Sequence, residues 1–170
     1  ITPLAELYGS KESALEAGAL VEPTGVAYNG MIVAGGGIKP GVHVVVYGAG
    51  PIGQAAVAIA KASGAAEIIC IDTVPERLKL AETMGATCTV NAKALEANVC
   101  PSDIVKEKTR GLGAGVIVEA TGAHSIVYAE IEKMMAVGAH IIQLGVGNSP
   151  AQINLIHFQR GQAVISGSLG

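Results

Sequence analysis

The stretch from His43 to Asp72 constrains this chain more than any other. Val44, Val45 and Val46 make a short β-branched apolar run, the pattern of a strand buried on both faces. Gly48-Ala49-Gly50-Pro51-Ile52-Gly53 follows at once and reads G-x-G-x-x-G. Gly48 permits a tight turn out of the strand. Gly50 has no Cβ, so a bulky anion can approach its backbone, and Gly53 lets the next helix lie close on the sheet. Pro51 suits a first helical turn, where its missing N–H leaves nothing unpaired. The alanine-rich run from Gln54 to Ser63 predicts the helix, and Ile68-Ile69-Cys70-Ile71 predicts a second buried strand that ends at Asp72.

Asp72 lies nineteen residues beyond Gly53, close to the spacing at which a carboxylate meets a ribose diol. A G-x-G-x-x-G alone is weak, and a plain βαβ turn with an incidental aspartate would share it. With a strand before it, a helix after it and that carboxylate beyond, the stretch reads as a dinucleotide site, its diphosphate facing the helix N-terminal amides.

The rest of the chain supports one α/β domain. With 170 residues, half of them hydrophobic, it can bury a sizeable core. A net charge of −3 argues against nucleic acid or an anionic membrane as partner. Cys70, Cys88 and Cys100 lie far apart with no C-x-x-C pair, which suits a reducing, cytoplasmic setting. Apolar runs are short and interrupted, so neither a membrane span nor a secretory signal is expected. A start at Ile1 and an end just past a strand-like run suggest part of a longer polypeptide.

Residues 1–20 show no clear period and read as a lead-in, with a turn at Tyr8-Gly9-Ser10-Lys11; residues 21–170 read as the nucleotide-binding domain. A helix is expected from about Thr24 to Ala34, ended by Gly35-Gly36-Gly37, and Lys39-Pro40-Gly41-Val42 suits a type II turn. Pro75 to Met84 predicts a helix stopped by Gly85, and Thr87 to Val90 a third strand. Ser102 is placed to cap a helix reaching about Arg110. Val116 to Ala120 predicts a fourth strand, His124 to Ala136 a helix stopped by Gly138, His140 to Leu144 a fifth strand, and Ala163 to Ser166 a sixth. Strands alternating with helices imply a doubly wound parallel sheet of six strands with helices on both faces.

In order and spacing, Leu20-Val21-Glu22-Pro23, Lys39-Pro40-Gly41, Val46 to Gly53, Asp72 with Pro75-Glu76-Arg77, Met84-Gly85-Ala86, Glu119-Ala120-Thr121-Gly122 and Leu144-Gly145-Val146 resemble the medium-chain dehydrogenase/reductase family of zinc-dependent alcohol and polyol dehydrogenases. Val21 to Asn29 together with Gly35 to Gly41 is similar to its cyclitol branch. The resemblance implies a Rossmann sheet, hydride transfer between a secondary alcohol or ketone and NAD(P), and zinc as Lewis acid. It also implies a zinc-bearing lobe that these residues do not contain. This chain alone is therefore expected to bind NAD without turnover, with no catalytic residue of its own and zinc only in the full-length enzyme.

Within that frame Gly48, Gly50, Pro51, Ile52 and Gly53 would hold the diphosphate. Asp72 would take the adenosine ribose and disfavour a 2′-phosphate, making NAD the expected cofactor over NADP. Thr73 would line the adenine pocket. Arg77 either sits near the ribose or is a solvated helix residue. Thr121-Gly122 and Leu144-Gly145-Val146 end strands four and five, where ligands of open α/β sheets bind; each could also be a simple turn. By resemblance, Ser168 would meet the nicotinamide carboxamide, Val26 would lie behind the ring, and Glu22 would stand near the catalytic zinc. His43, His124, His140 and His157 show no metal spacing and read as structural or solvated, as do Glu130, Glu132 and Lys133 on a helix face. The last strand is where this family pairs across a dimer axis, which implies a homo-oligomer.

Three other readings compete. A non-catalytic NAD-sensing module would begin almost at the first strand, whereas a helix and the Val-Glu-Pro turn come first here. A short-chain dehydrogenase needs Tyr-x-x-x-Lys, and Tyr8, Tyr28, Tyr47 and Tyr128 are followed at that spacing by Glu12, Ile32, Pro51 and Glu132. A methyltransferase could share the glycine turn and the carboxylate, but the segments after the fourth strand fit a dehydrogenase better.

Overall fold

A computed structural model describes residues 2–169. One fully parallel sheet carries the fold. Its strands are β1 (His43–Tyr47), β2 (Glu67–Asp72), β3 (Cys88–Asn91), β4 (Ala114–Glu119), β5 (Met135–Gln143) and β6 (Val164–Gly167), in the spatial order β3-β2-β1-β4-β5-β6. The strand order reverses between β1 and β4, so the carboxyl ends of these strands flank a crevice.

Alternation along β1 builds a core on each face. Val44 and Val46 join Ile68, Cys70, Val116, Val118 and Ile142 under α3 (Val21–Tyr28), α4 (Pro51–Ala62) and α5 (Pro75–Met84). Val45 and Tyr47 join Ile69, Ile71, Ile117 and Ile141 under α6 (Pro101–Lys108) and α7 (His124–Met134). The strands read as unbroken apolar runs because both faces are covered. The expected doubly wound sheet is what forms.

Several local expectations need correction. Residues 2–19, which show no period in the sequence, form α1 (Thr2–Tyr8) and α2 (Lys11–Ala19) on either side of the expected turn; the Ser10 hydroxyl accepts from the Ser13 amide and caps α2. The helix expected from Thr24 starts at Val21, and its last turns, Asn29–Ala34, are π-helical. The helix after the glycine turn runs Pro51–Ala62, with Pro51 in its first turn as expected, so it begins three residues before the alanine-rich run that starts at Gln54.

Ser102 is not the cap of α6. Cys100 holds that position, its amide donating to Asp103 Oδ2 at 2.8 Å, and Pro101 is the first helical residue. Gly138 does not end α7, which stops at Met134. β5 starts at Met135 and carries Gly138 within it at φ 74°. Ala114 pairs with Met135 but Val116 with His140, so β5 bulges there, and a left-handed residue absorbs the extra length. A further helix, α8 (Leu155–Gly161), is capped by Asn154 and lies outside the expected elements.

Candidate cofactor-binding site

The crevice at the carboxyl ends of β1, β2 and β4 holds a cavity of about 570 Å³, within the range of small-ligand sites. Gly48, Asp72, Thr73, Arg77 and Thr121 all line it, from four separate segments of the chain. Ile71, Val99, Pro101, Ile126 and Val127 give the same cavity an apolar part of its lining.

Asp72 is set by three backbone amides. Ala49 N–H donates to Oδ2 at 2.6 Å, while Thr73 and Val74 N–H donate to Oδ1 at 2.6 and 2.9 Å. These bonds pin the carboxylate against the glycine turn and take three of the roughly four acceptor sites that two carboxylate oxygens offer, leaving about one free.

The glycine turn has three different environments. Gly48 sits at φ 91°, and a Cβ there would come 2.9 Å from the Ala120 carbonyl oxygen. A Cβ on Gly53 would collide with the Gly48 carbonyl oxygen, so this helix can approach the turn only as glycine. Gly50 is the opposite case, with nothing within 4 Å of such an atom. That open space lies over the first turn of α4, whose Ile52 and Gly53 amides belong to the unpaired donors of a helix N-terminus. The residues thus fit a nucleotide diphosphate. Buried Gln54 locks the turn from beneath, donating to the Ala49 carbonyl at 3.0 Å and the Arg77 carbonyl at 2.8 Å.

The remaining expected residues lie at the ends of β4, β5 and β6 and in α3, outside the lining of this cavity. Gly122, Gly145 and Gly147 pack so closely that a Cβ on any of them would meet the facing backbone, joining the ends of β4 and β5. Leu144 is buried there and Val146 is exposed. Ser168 follows β6, donates its amide to the Gln143 carbonyl at 3.2 Å and accepts from the Asn29 side chain at 2.7 Å. Val26 is buried in the core under α3 and α4.

Glu22 stands apart, exposed in the first turn of α3. Among the described residues no three of His, Cys, Asp and Glu come together to hold a metal ion. One carboxylate does not make a zinc site.

The structure also brings forward residues to which sequence reading gave no place in the site. Glu119, at the end of β4, is a fully buried carboxylate. In the sequence it closes the apolar run Val116-Ile117-Val118 and opens the motif Glu119-Ala120-Thr121-Gly122, neither of which marks it as a buried acceptor. Tyr128 donates its hydroxyl to Gln143 at 2.9 Å, and burial, then the charge of Glu119, pushes its phenol up to about 12. Tyr47 lines the cavity with its hydroxyl buried and unpartnered, and burial, then Glu130 and Cys100, drives that phenol far above its ordinary value.

Glu130 and Glu132 are not a solvated face. Glu130 accepts from the Ser102 amide at 3.2 Å and from Lys133 at 2.6 Å, and Glu132 accepts from the Asn154 amide and faces His157 at 3.2 Å. The histidines serve local contacts: His43 meets the Gly113 carbonyl at 3.3 Å, and His140 meets the Ser166 hydroxyl at 2.7 Å.

A model of the zinc-binding dehydrogenases matches residues 51–170. A scyllo-inosose 3-dehydrogenase of Thermotoga maritima is 42% identical over 158 residues, which cover 91% of this chain and 39% of that protein. A D-xylulose reductase of Saccharomyces cerevisiae is 39% identical over 137 residues, 81% of this chain and 38% of that protein. Among solved structures, an alcohol dehydrogenase of the archaeon Aeropyrum pernix superposes with a TM-score of 0.81 at 28% identity, covering 94% of this chain and 44% of its own. The chain thus spans about two-fifths of the length of the curated relatives it matches. On sequence and fold together, this chain belongs to the zinc-binding dehydrogenases of the medium-chain dehydrogenase/reductase family.

Proposed function

We propose that this chain is the NAD-binding domain, residues 21–170, of an alcohol or polyol dehydrogenase. The reaction would pass hydride between a secondary alcohol or ketone and NAD, the cofactor serving as hydride carrier when bound. The observation that carries this reading is the Asp72 carboxylate, held by the Ala49, Thr73 and Val74 amides in the wall of the cavity beside the open space at Gly50.

In this arrangement the turn Gly48 to Gly53 receives the diphosphate, with Gly50 and Pro51 leaving room and the Ile52 and Gly53 amides donating. Asp72 accepts the adenosine ribose hydroxyls, and its charge disfavours the 2′-phosphate of NADP. Thr73 flanks the adenine, and exposed Arg77 flanks the ribose. Thr121, Gly122, Leu144, Gly145, Val146 and Ser168 form the surface for the nicotinamide ribose and ring, with Val26 behind it. Glu22 would lie near a catalytic zinc whose other ligands come from outside these residues.

The names of the relatives, a scyllo-inosose dehydrogenase and xylulose reductases, support a polyol or cyclitol substrate. Free cysteines support a reducing compartment such as the cytoplasm. Exposed Val164 and Ile165 on the outer strand β6 support pairing of two copies through the sheet edge; a monomer in sedimentation velocity would refute that pairing.

The whole protein is expected to reduce NAD when offered a panel of polyols and cyclitols, followed by the absorbance of NADH. NAD binding with no turnover on any secondary alcohol would overturn the dehydrogenase reading in favour of a sensor.

A further inference from the structure

The two strands that flank β1 each end in a carboxylate that gathers backbone amides. Asp72 does so for β2. For β4 the residue is Glu119, which is 0% exposed, and it accepts more bonds. Oε1 takes the amides of Thr121 at 2.7 Å and Gly122 at 3.0 Å, together with the Thr121 hydroxyl. Oε2 takes the Gln143 side-chain amide at 2.7 Å. The same residue's main-chain carbonyl accepts the Leu144 and Gly145 amides, both at 2.8 Å.

Its neighbours extend the network into β5 and α7. Gln143 also donates to the Gly145 carbonyl at 2.7 Å, and His124 Nε2 lies 3.1 Å from that carbonyl and 3.5 Å from Glu119 Oε2. A Cβ on Gly145 would come 2.5 Å from Glu119 Oε2, so this segment rests directly on the carboxylate. Burying a carboxylate is costly unless it is fully bonded, and apolar packing would serve stability alone as well. What this one side chain achieves is to fix two loop segments relative to each other. None of its bonds reaches Asp72, Thr73 or Arg77.

We propose that Glu119 is a positioning residue for the nicotinamide half of the cofactor, an inference that rests on the dinucleotide reading above. It touches no ligand atom. Its carboxylate holds Thr121-Gly122 and Leu144-Gly145-Val146 in the arrangement that receives the nicotinamide ribose and ring, while Asp72 independently sets the adenosine half. The two halves of the site therefore respond to different substitutions.

Calorimetry on the whole protein, titrating NADH and separately 5′-AMP, tests this. Glu119→Gln keeps the shape but replaces one acceptor oxygen by a donor group. It is expected to weaken NADH tenfold or more, to reduce the fluorescence gain of bound NADH, and to leave AMP within twofold. Gln143→Met removes its bond to the carboxylate together with those to the Gly145 carbonyl and the Tyr128 hydroxyl; it is expected to weaken NADH threefold or more with AMP unchanged, and it tests the same coupling of the two segments if Glu119→Gln does not fold. Equal losses for NADH and AMP, or no loss of NADH, would overturn the proposal. Failure of the unaltered protein to bind AMP or NADH would instead overturn the dinucleotide reading itself, and the proposal with it.

Discussion

Gly50 and Gly53 lie three residues apart in one motif and do different physical work. A methyl on Gly53 meets the Gly48 carbonyl, which is backbone and cannot swing aside. Gly53→Ala should therefore lower stability by about 1–3 kcal/mol in urea unfolding. A methyl on Gly50 meets nothing, and its φ of −71° suits any residue. Gly50→Ala should change stability by less than about 1 kcal/mol yet weaken NAD at least tenfold, because the added carbon fills the diphosphate's space. Equal effects of the two substitutions on folding would contradict this division. The close packing at Gly53 and the open backbone at Gly50 were legible from the sequence because turn, helix and glycine are adjacent in the chain. Glu119 was not legible as a buried acceptor: one of its main partners, Gln143, is 24 residues away and meets it only once β4 and β5 pair.

At the scale of elements, the sequence was readable where one signal stood alone. Pro75 and Gly85 bracket α5 as expected, Gly85 taking φ 122° beyond its last residue. It misled where two signals competed. Both Ser102 and Pro101 mark helix starts, and proline's fixed φ won, leaving Ser102 buried in the first turn. The Ser102 amide then finds Glu130 of α7, which also pairs with Lys133. Burial acts to raise the Glu130 carboxyl, but the Lys133 and Ser102 bonds outweigh it and hold the group below the usual carboxylate value. A lowered folded-state value means the stabilisation is present above the ordinary carboxylate range and is lost as pH falls through the folded one. Glu130→Gln should thus cost about 1 kcal/mol or less near neutral pH, and the difference from the unaltered protein should vanish in acid. Urea midpoints measured from pH 7 down to pH 3 check it; a gap that stays constant or widens in acid would contradict the pairing.

For the whole molecule, the strand order β3-β2-β1-β4-β5-β6 decides where chemistry can happen, because it brings the ends of β2 and β4 to either side of the glycine turn. The alternation of strands and helices foretold that architecture, and the carboxylate spacing foretold one wall of the cavity. The apolar wall from Val99, Pro101, Ile126 and Val127 could not be foretold, since it assembles from α6, α7 and a loop with no period of its own. The central claim is that this crevice grips the adenosine ribose at Asp72. Calorimetric titration of NAD into the protein and into its Asp72→Ala variant tests it most directly. A loss of at least tenfold in affinity is predicted, in keeping with one or two charge-assisted hydrogen bonds of roughly 1.5–3 kcal/mol each. An affinity for NAD that survives the substitution unchanged would contradict it.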